Sequence, residues 1–151
     1  MNLQKGSTYL IMILNMIAKK FGMTLHDAYD FVSRHKGIAF LTEFYDVEHT
    51  LNSDDVVDDV LAICEKHGGV LACLNKIMNN TKEQDYLIQN VISHLVAEIA
   101  EEQNLSLEKA MELFFTSDLS KKITDVETGY YLESPSYLYE IFQQLQDVKT
   151  A

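Results

Sequence analysis

Three groups of residues in the 151-residue chain have types and spacings that could do chemistry. The densest is Asp54-Asp55-Val56-Val57-Asp58-Asp59. On a helix, residues four apart share a face, so Asp54 with Asp58 and Asp55 with Asp59 would present paired carboxylates, the oxygen-rich arrangement that holds magnesium. The second is Tyr45, Asp46 and His49, whose spacings of three and four let them meet on one helical turn. There Asp46 would orient the His49 imidazole as acid–base catalysis requires. The third is Cys64, His67 and Cys73, a C-x-x-H pair followed by a distant cysteine. It lacks the second tight pair of a structural zinc site.

Each group has a plainer reading that the surrounding sequence favours. The aspartate run opens a helix, where the dipole stabilises negative charge, and no second aspartate-rich motif accompanies it. No nucleophile or oxyanion donor stands out beside His49, so a polar network joining two helices is the simpler role for Tyr45, Asp46 and His49. We therefore assign no catalytic residue, no metal and no cofactor from sequence. The alternative kept open is a small metal-dependent or acid–base enzyme using the Asp54–Asp59 run or His49. A fourth feature is the tyrosine group Tyr130, Tyr131, Tyr137 and Tyr139. Tyrosine offers wide contact area for little rotamer entropy and is enriched at protein interfaces, so these tyrosines and the four aspartates form the candidate interaction surface.

The elements that must carry these residues read as helices. Proline occurs once, and apolar residues recur at three and four. A first helix is expected over Ser7–Phe21, ending at Gly22. Thr24, with Asp27 three residues on, opens a second that stops near Gly37, and a third covers Ile38–Val47. Ser53 caps a fourth that breaks at Gly68-Gly69. A connecting helix over Val70–Met78 ends at Asn79-Asn80. Thr81 and Gln84 open a long helix to about Gln103, and Ser106 caps the next. A shorter helix covers Asp118–Ile123, and Ser134 caps the last, with Pro135 in its first position. Residues 123–134, with Thr128-Gly129 between apolar flanks, are the one stretch expected to be extended or a hairpin.

Two halves have the same order of parts. Gly22-Met23-Thr24-Leu25-His26-Asp27-Ala28 aligns with Asn104-Leu105-Ser106-Leu107-Glu108-Lys109-Ala110, and Leu51-Asn52-Ser53 with Leu132-Glu133-Ser134. The expected fold is a mainly α helical bundle of two related units, residues 1–69 and 86–151, joined by a connecting helix and linker over 70–85.

With 12 basic and 23 acidic side chains the net charge is −11, which argues against nucleic acid and anionic membranes. The helix Ile38–Val47, placed where a helix-turn-helix would read DNA, carries Glu43 and Asp46 and no basic residue. The run Tyr9–Ala18 is too short to span a bilayer and is followed by Lys19 and Lys20 with no small-x-small cleavage site, so a buried helix and a cytoplasmic location are expected. The charge divides into −4 over residues 1–69 and −7 over 70–151, and from Leu41 to Glu65 there is no lysine or arginine.

Tyr45-Asp46-Val47-Glu48-His49-Thr50, with the apolar first helix and the Thr-capped second, resembles a bacterial domain family of unknown function, found mostly in Firmicutes. In the second half, Thr128-Gly129-Tyr130-Tyr131-Leu132-Glu133-Ser134-Pro135 stands in its place, as in a divergent duplicate. The resemblance implies no activity or site. It does imply an antitoxin-like or regulatory role beside an enzyme, with an ADP-ribosyltransferase-like protein as candidate partner. The expectation from sequence is thus a protein–protein interaction module, binding a basic or enzymatic partner or a second copy of itself.

Overall fold

The computed structural model describes residues 2–71 and 81–150. Nine α-helices and no strand occur among the described residues: α1 (Leu3–Phe21), α2 (Leu25–Arg34), α3 (Gly37–Glu43), α4 (Tyr45–Glu48), α5 (Ser53–Lys66), α6 (Lys82–Glu102), α7 (Leu107–Phe115), α8 (Asp118–Thr124) and α9 (Pro135–Thr150). Residues 72–80, which hold Cys73 and most of the expected connecting helix Val70–Met78, lie outside the described residues.

The chain falls into two compact units. In the first, Tyr9–Asn79, the stretch Tyr9–Ala18 of α1 is apolar except for Asn15, and Leu10, Ile11, Ile13, Leu14 and Ile17 are fully buried. Helix α3 packs against both α2 and α5, and α2 also packs against α5. Their facing residues Val32, Ile38, Leu41, Val56, Val60 and Cys64 form the core. Gly37 begins α3 where the helices come closest, because a Cβ there would lie 2.5 Å from Val32 Cγ1 and 3.1 Å from Cys64 Sγ. The second unit, Asn2–Thr8 with Asn80–Ala151, is organised around α6, which packs against α7, α9 and the turn Tyr130–Leu132. Ile92, Leu95, Ile99, Met111, Phe114, Phe115, Leu138 and Phe142 are buried in it. The Ser7 hydroxyl donates to the Ser93 carbonyl at 2.7 Å, a bond within this unit.

Helix boundaries follow the capping chemistry. Thr24 accepts from the Asp27 amide and Ser106 from the Lys109 amide, and Thr81 and Gln84 close a reciprocal capping box. The Ser134 hydroxyl accepts from the Tyr137 amide at 3.3 Å. At the end of α1, Gly22 turns left-handed (φ 63°) and the Met23 amide donates back to the Ala18 carbonyl at 2.9 Å. At the end of α6 the same junction forms with Asn104 (φ 53°), and the Leu105 amide reaches the Ala100 carbonyl at 2.8 Å. Glycine takes that conformation freely, and asparagine is the side chain that tolerates it best.

Three expectations are corrected. The single helix expected over Ile38–Val47 is two, because Phe44 leaves helical geometry (φ −101°, ψ 16°) and the chain restarts at Tyr45. The cap of α5 is Asn52, whose side chain accepts from the Asp54 amide, and Ser53 is the first helical residue. The segment expected as extended or a hairpin over 123–134 instead holds two 3-10 turns, Val126–Thr128 and Tyr130–Leu132, on either side of a left-handed Gly129 (φ 73°). Side chains satisfy the backbone locally: Asp125 accepts from the Glu127 amide, and the Thr128 hydroxyl bonds the Lys122 and Asp125 carbonyls, so no partner strand is needed.

Candidate functional site

The break at Phe44 produces the site in the first unit. After it, α4 makes one turn, and residues at spacings of three and four separate onto two sides. Phe44, Val47 and Leu51 are 45%, 58% and 45% exposed, and the ring of Phe40 touches Phe44 with 5.2 Å between centroids. Tyr45 and Glu48 turn inward. The Tyr45 ring meets Tyr9 of α1 edge-on, 5.4 Å between centroids, and His49 stacks on it at 4.7 Å and 4°.

Of the sequence candidates here, Tyr45 and His49 come together and Asp46 does not join them. Asp46 is exposed. The imidazole is oriented by the main chain instead, with His49 Nδ1 2.5 Å from the Tyr45 carbonyl. A carbonyl only accepts, so Nδ1 carries the proton in that bond.

Two residues that sequence reading passed over form the interior of the site. Glu48 is only 6% exposed, and neither its Oε2 nor the Tyr9 hydroxyl, both buried, has a hydrogen-bond partner among the described residues. Burial pushes the Glu48 carboxyl above its ordinary range, and the negative charge of Asp59 on α5 adds to the effect. Burial, then Glu48 and Tyr45, push the Tyr9 hydroxyl up to about 12. The available sequence signal was weak: Glu48 lies three residues after Tyr45, and Tyr9 follows Ser7 and Thr8 at the head of an apolar run.

The aspartates Asp54, Asp55, Asp58 and Asp59 all lie exposed on α5. Asp54 and Asp58 line an open groove of about 560 Å³ with Met16, Lys19, Lys20 and Val57, and Lys20 pairs with Asp58 at 2.9 Å. Among the described residues no group of three or more His, Cys, Asp or Glu is placed to hold a metal ion. The Cys64 thiol is buried in the core, while His67 is exposed with its Nδ1 on the Ile63 carbonyl.

The tyrosines of the second unit do not share one exposed face. Tyr131 and Tyr139 are buried, the latter stacked near Phe142 at 6.4 Å. Tyr130 is half-buried under the Lys122 ammonium, 5.4 Å from its ring, and Tyr137 is exposed. No described helix is long and apolar enough to cross a membrane.

No curated protein and no solved structure matches the chain. Residues 8–67, which include Tyr9, Tyr45, Glu48, His49 and the whole aspartate run, match the model of a family described as a protein of unknown function, DUF3791.

Proposed function

We propose that the chain is a protein–protein interaction module and that the first unit docks a basic segment of its partner. One observation carries this reading. Phe44, Val47 and Leu51 stand exposed on successive turns, inside a stretch from Leu41 to Glu65 that has eight acidic residues and neither lysine nor arginine. An apolar strip edged by one sign of charge is complementary to an amphipathic helix with basic flanks. An enzymatic partner of the ADP-ribosyltransferase-like kind, held in an antitoxin-like or regulatory complex, fits the resemblance noted from sequence. The two units are, on this reading, divergent copies of one bacterial helical domain.

Pull-down with the tagged full chain tests the reading. The wild type is expected to retain a partner whose contact segment is rich in lysine and arginine, with binding weakened at high salt. Val47→Asp and Leu51→Asp should each abolish capture while leaving the circular dichroism spectrum unchanged. A captured set that is the same for wild type and both variants refutes docking at this strip.

A further inference from the structure

Glu48 lies directly between two exposed members of the apolar strip in sequence, Val47 and, one turn on, Leu51, yet its own side chain is turned into the unit. Among the described residues nothing supplies it with a counter-charge. Its Oε2 has no hydrogen-bond partner, the charge that acts on it most is another carboxylate, Asp59, and the flanking sequence from Leu41 to Glu65 has no lysine or arginine. Tyr45 lies three residues before it on the same turn and meets the Tyr9 ring at right angles, and the Tyr9 hydroxyl, a second orphaned oxygen, feels the Glu48 charge. A carboxylate, aromatic faces and a hydroxyl oxygen are together the groups that receive a planar cation: the carboxylate accepts paired N–H donors and the rings accept the charge over their faces.

We propose that Glu48, Tyr9 and Tyr45 form a receptor for the guanidinium group of one arginine that the partner inserts between α4 and α1. This deepens the docking reading above and rests on it for the source of the arginine. The exposed His49 ring, stacked on Tyr45, is the element that must shift to admit the side chain, since Glu48 keeps only 6% of its surface open. Arginine suits the site better than lysine because its flat, weakly hydrated head group both stacks and pairs in a fork.

The test is an NMR titration of the labelled full chain with Nα-acetyl-arginine N-methylamide, with the citrulline analogue as a neutral isostere and the lysine analogue as a point-charge control. The expected result is a saturable shift of the Glu48 carboxyl and the Tyr9 and Tyr45 ring signals in moderate salt. Affinity should be at least tenfold weaker for citrulline on the wild type, and at least tenfold weaker for arginine on Glu48→Gln. Absence of saturable shifts, or equal binding of arginine and citrulline, overturns the receptor; equal binding of lysine overturns the guanidinium assignment. The citrulline comparison needs no substitution, so it stands even if Glu48→Gln disturbs folding. The titration also needs no partner, so a negative titration alongside Val47-sensitive capture overturns this proposal alone. A positive titration with capture unchanged by the strip variants overturns the docking reading alone.

Discussion

The ring of Tyr9 meets the ring of Tyr45 edge-on, 5.4 Å between centroids and 88° between planes, and this contact ties α1 to the single-turn helix α4. A helix of four residues cannot hold itself together, since nucleation alone outweighs the hydrogen bonds that one turn gains. Its position therefore depends on side chains: Tyr45 against Tyr9, His49 over Tyr45, and Glu48 drawn under the surface. The same inward turn that secures Tyr45 carries Glu48 into a place where its charge is unmatched, and leaves Phe44, Val47 and Leu51 outside.

Glu48→Gln should stabilise the first unit at neutral pH, because the amide keeps the shape of the side chain and removes the charge that burial and Asp59 disfavour. Because the folded carboxyl titrates above its ordinary value of 4.5, the folded state favours the protonated form. Its stabilising contribution is thus full below 4.5 and is lost as pH rises through the raised value. Denaturant unfolding between pH 4.5 and 7.5 checks this: the difference between the variant and the wild type should grow with pH. A constant difference would mean that Glu48 ionises as freely in the folded chain as in the unfolded one.

Gly37→Ala should be destabilising by about 1–3 kcal/mol, the usual range for overpacking a filled core. The added methyl would lie 2.5 Å from Val32 Cγ1, and Val32 is fully buried, so its branched side chain has no open space into which to rotate. Removing the obstacle separates this from any backbone effect. In the double variant with Val32→Ala, the cost of Gly37→Ala should fall well below its cost in the wild type, as read from a double-mutant cycle by chemical denaturation.

The helices were legible because their ends are written in local chemistry: Thr24, Thr81, Ser106 and Ser134 each accept an amide where their side chains predict it. The break at Phe44 was not, because Phe40, Leu41, Phe44 and Tyr45 keep helical spacing straight through it and no Gly or Pro marks it. That one miss hid the interior of the site, since a continuous helix gives no reason to turn Glu48 inward or bring Tyr45 to Tyr9. The turns around Gly129 were misread for a related reason: Val126 and Tyr130–Leu132 have strand-like composition, but Asp125 and Thr128 satisfy the backbone first. Burial of Tyr131 and Tyr139 depends on α6 packing against the turn and α9, a long-range fact with no local signature.

Lys36→Gly is expected to raise stability. Lys36 precedes α3 with φ 67° and gives the helix no side-chain cap, so its Cβ is held in the left-handed region with no compensating bond. Glycine relieves about 1 kcal/mol of that strain, part of which returns as the greater freedom of the unfolded chain. A net gain of a few tenths to 1 kcal/mol in denaturant unfolding, with Lys36→Ala giving none, is the expected pattern.

Cys64 should behave as a core side chain and not as a reagent. It is fully buried between α3 and α5, and burial pushes its thiol up to about 11, against a weaker opposing pull from the Gly37 backbone. At pH 8 the thiolate, which is the reactive form, is then on the order of one part in a thousand even before access is considered. Alkylation of Cys64 by iodoacetamide, followed by peptide mass spectrometry, should therefore track unfolding: slow in buffer, and rising through the same denaturant midpoint as the circular dichroism signal. The Gly37→Ala variant supplies an internal check, because crowding Cys64 Sγ, 3.1 Å from the added methyl, should speed alkylation about tenfold for each 1.4 kcal/mol of stability lost. Rapid labelling of Cys64 in the folded wild type would contradict its burial in this core.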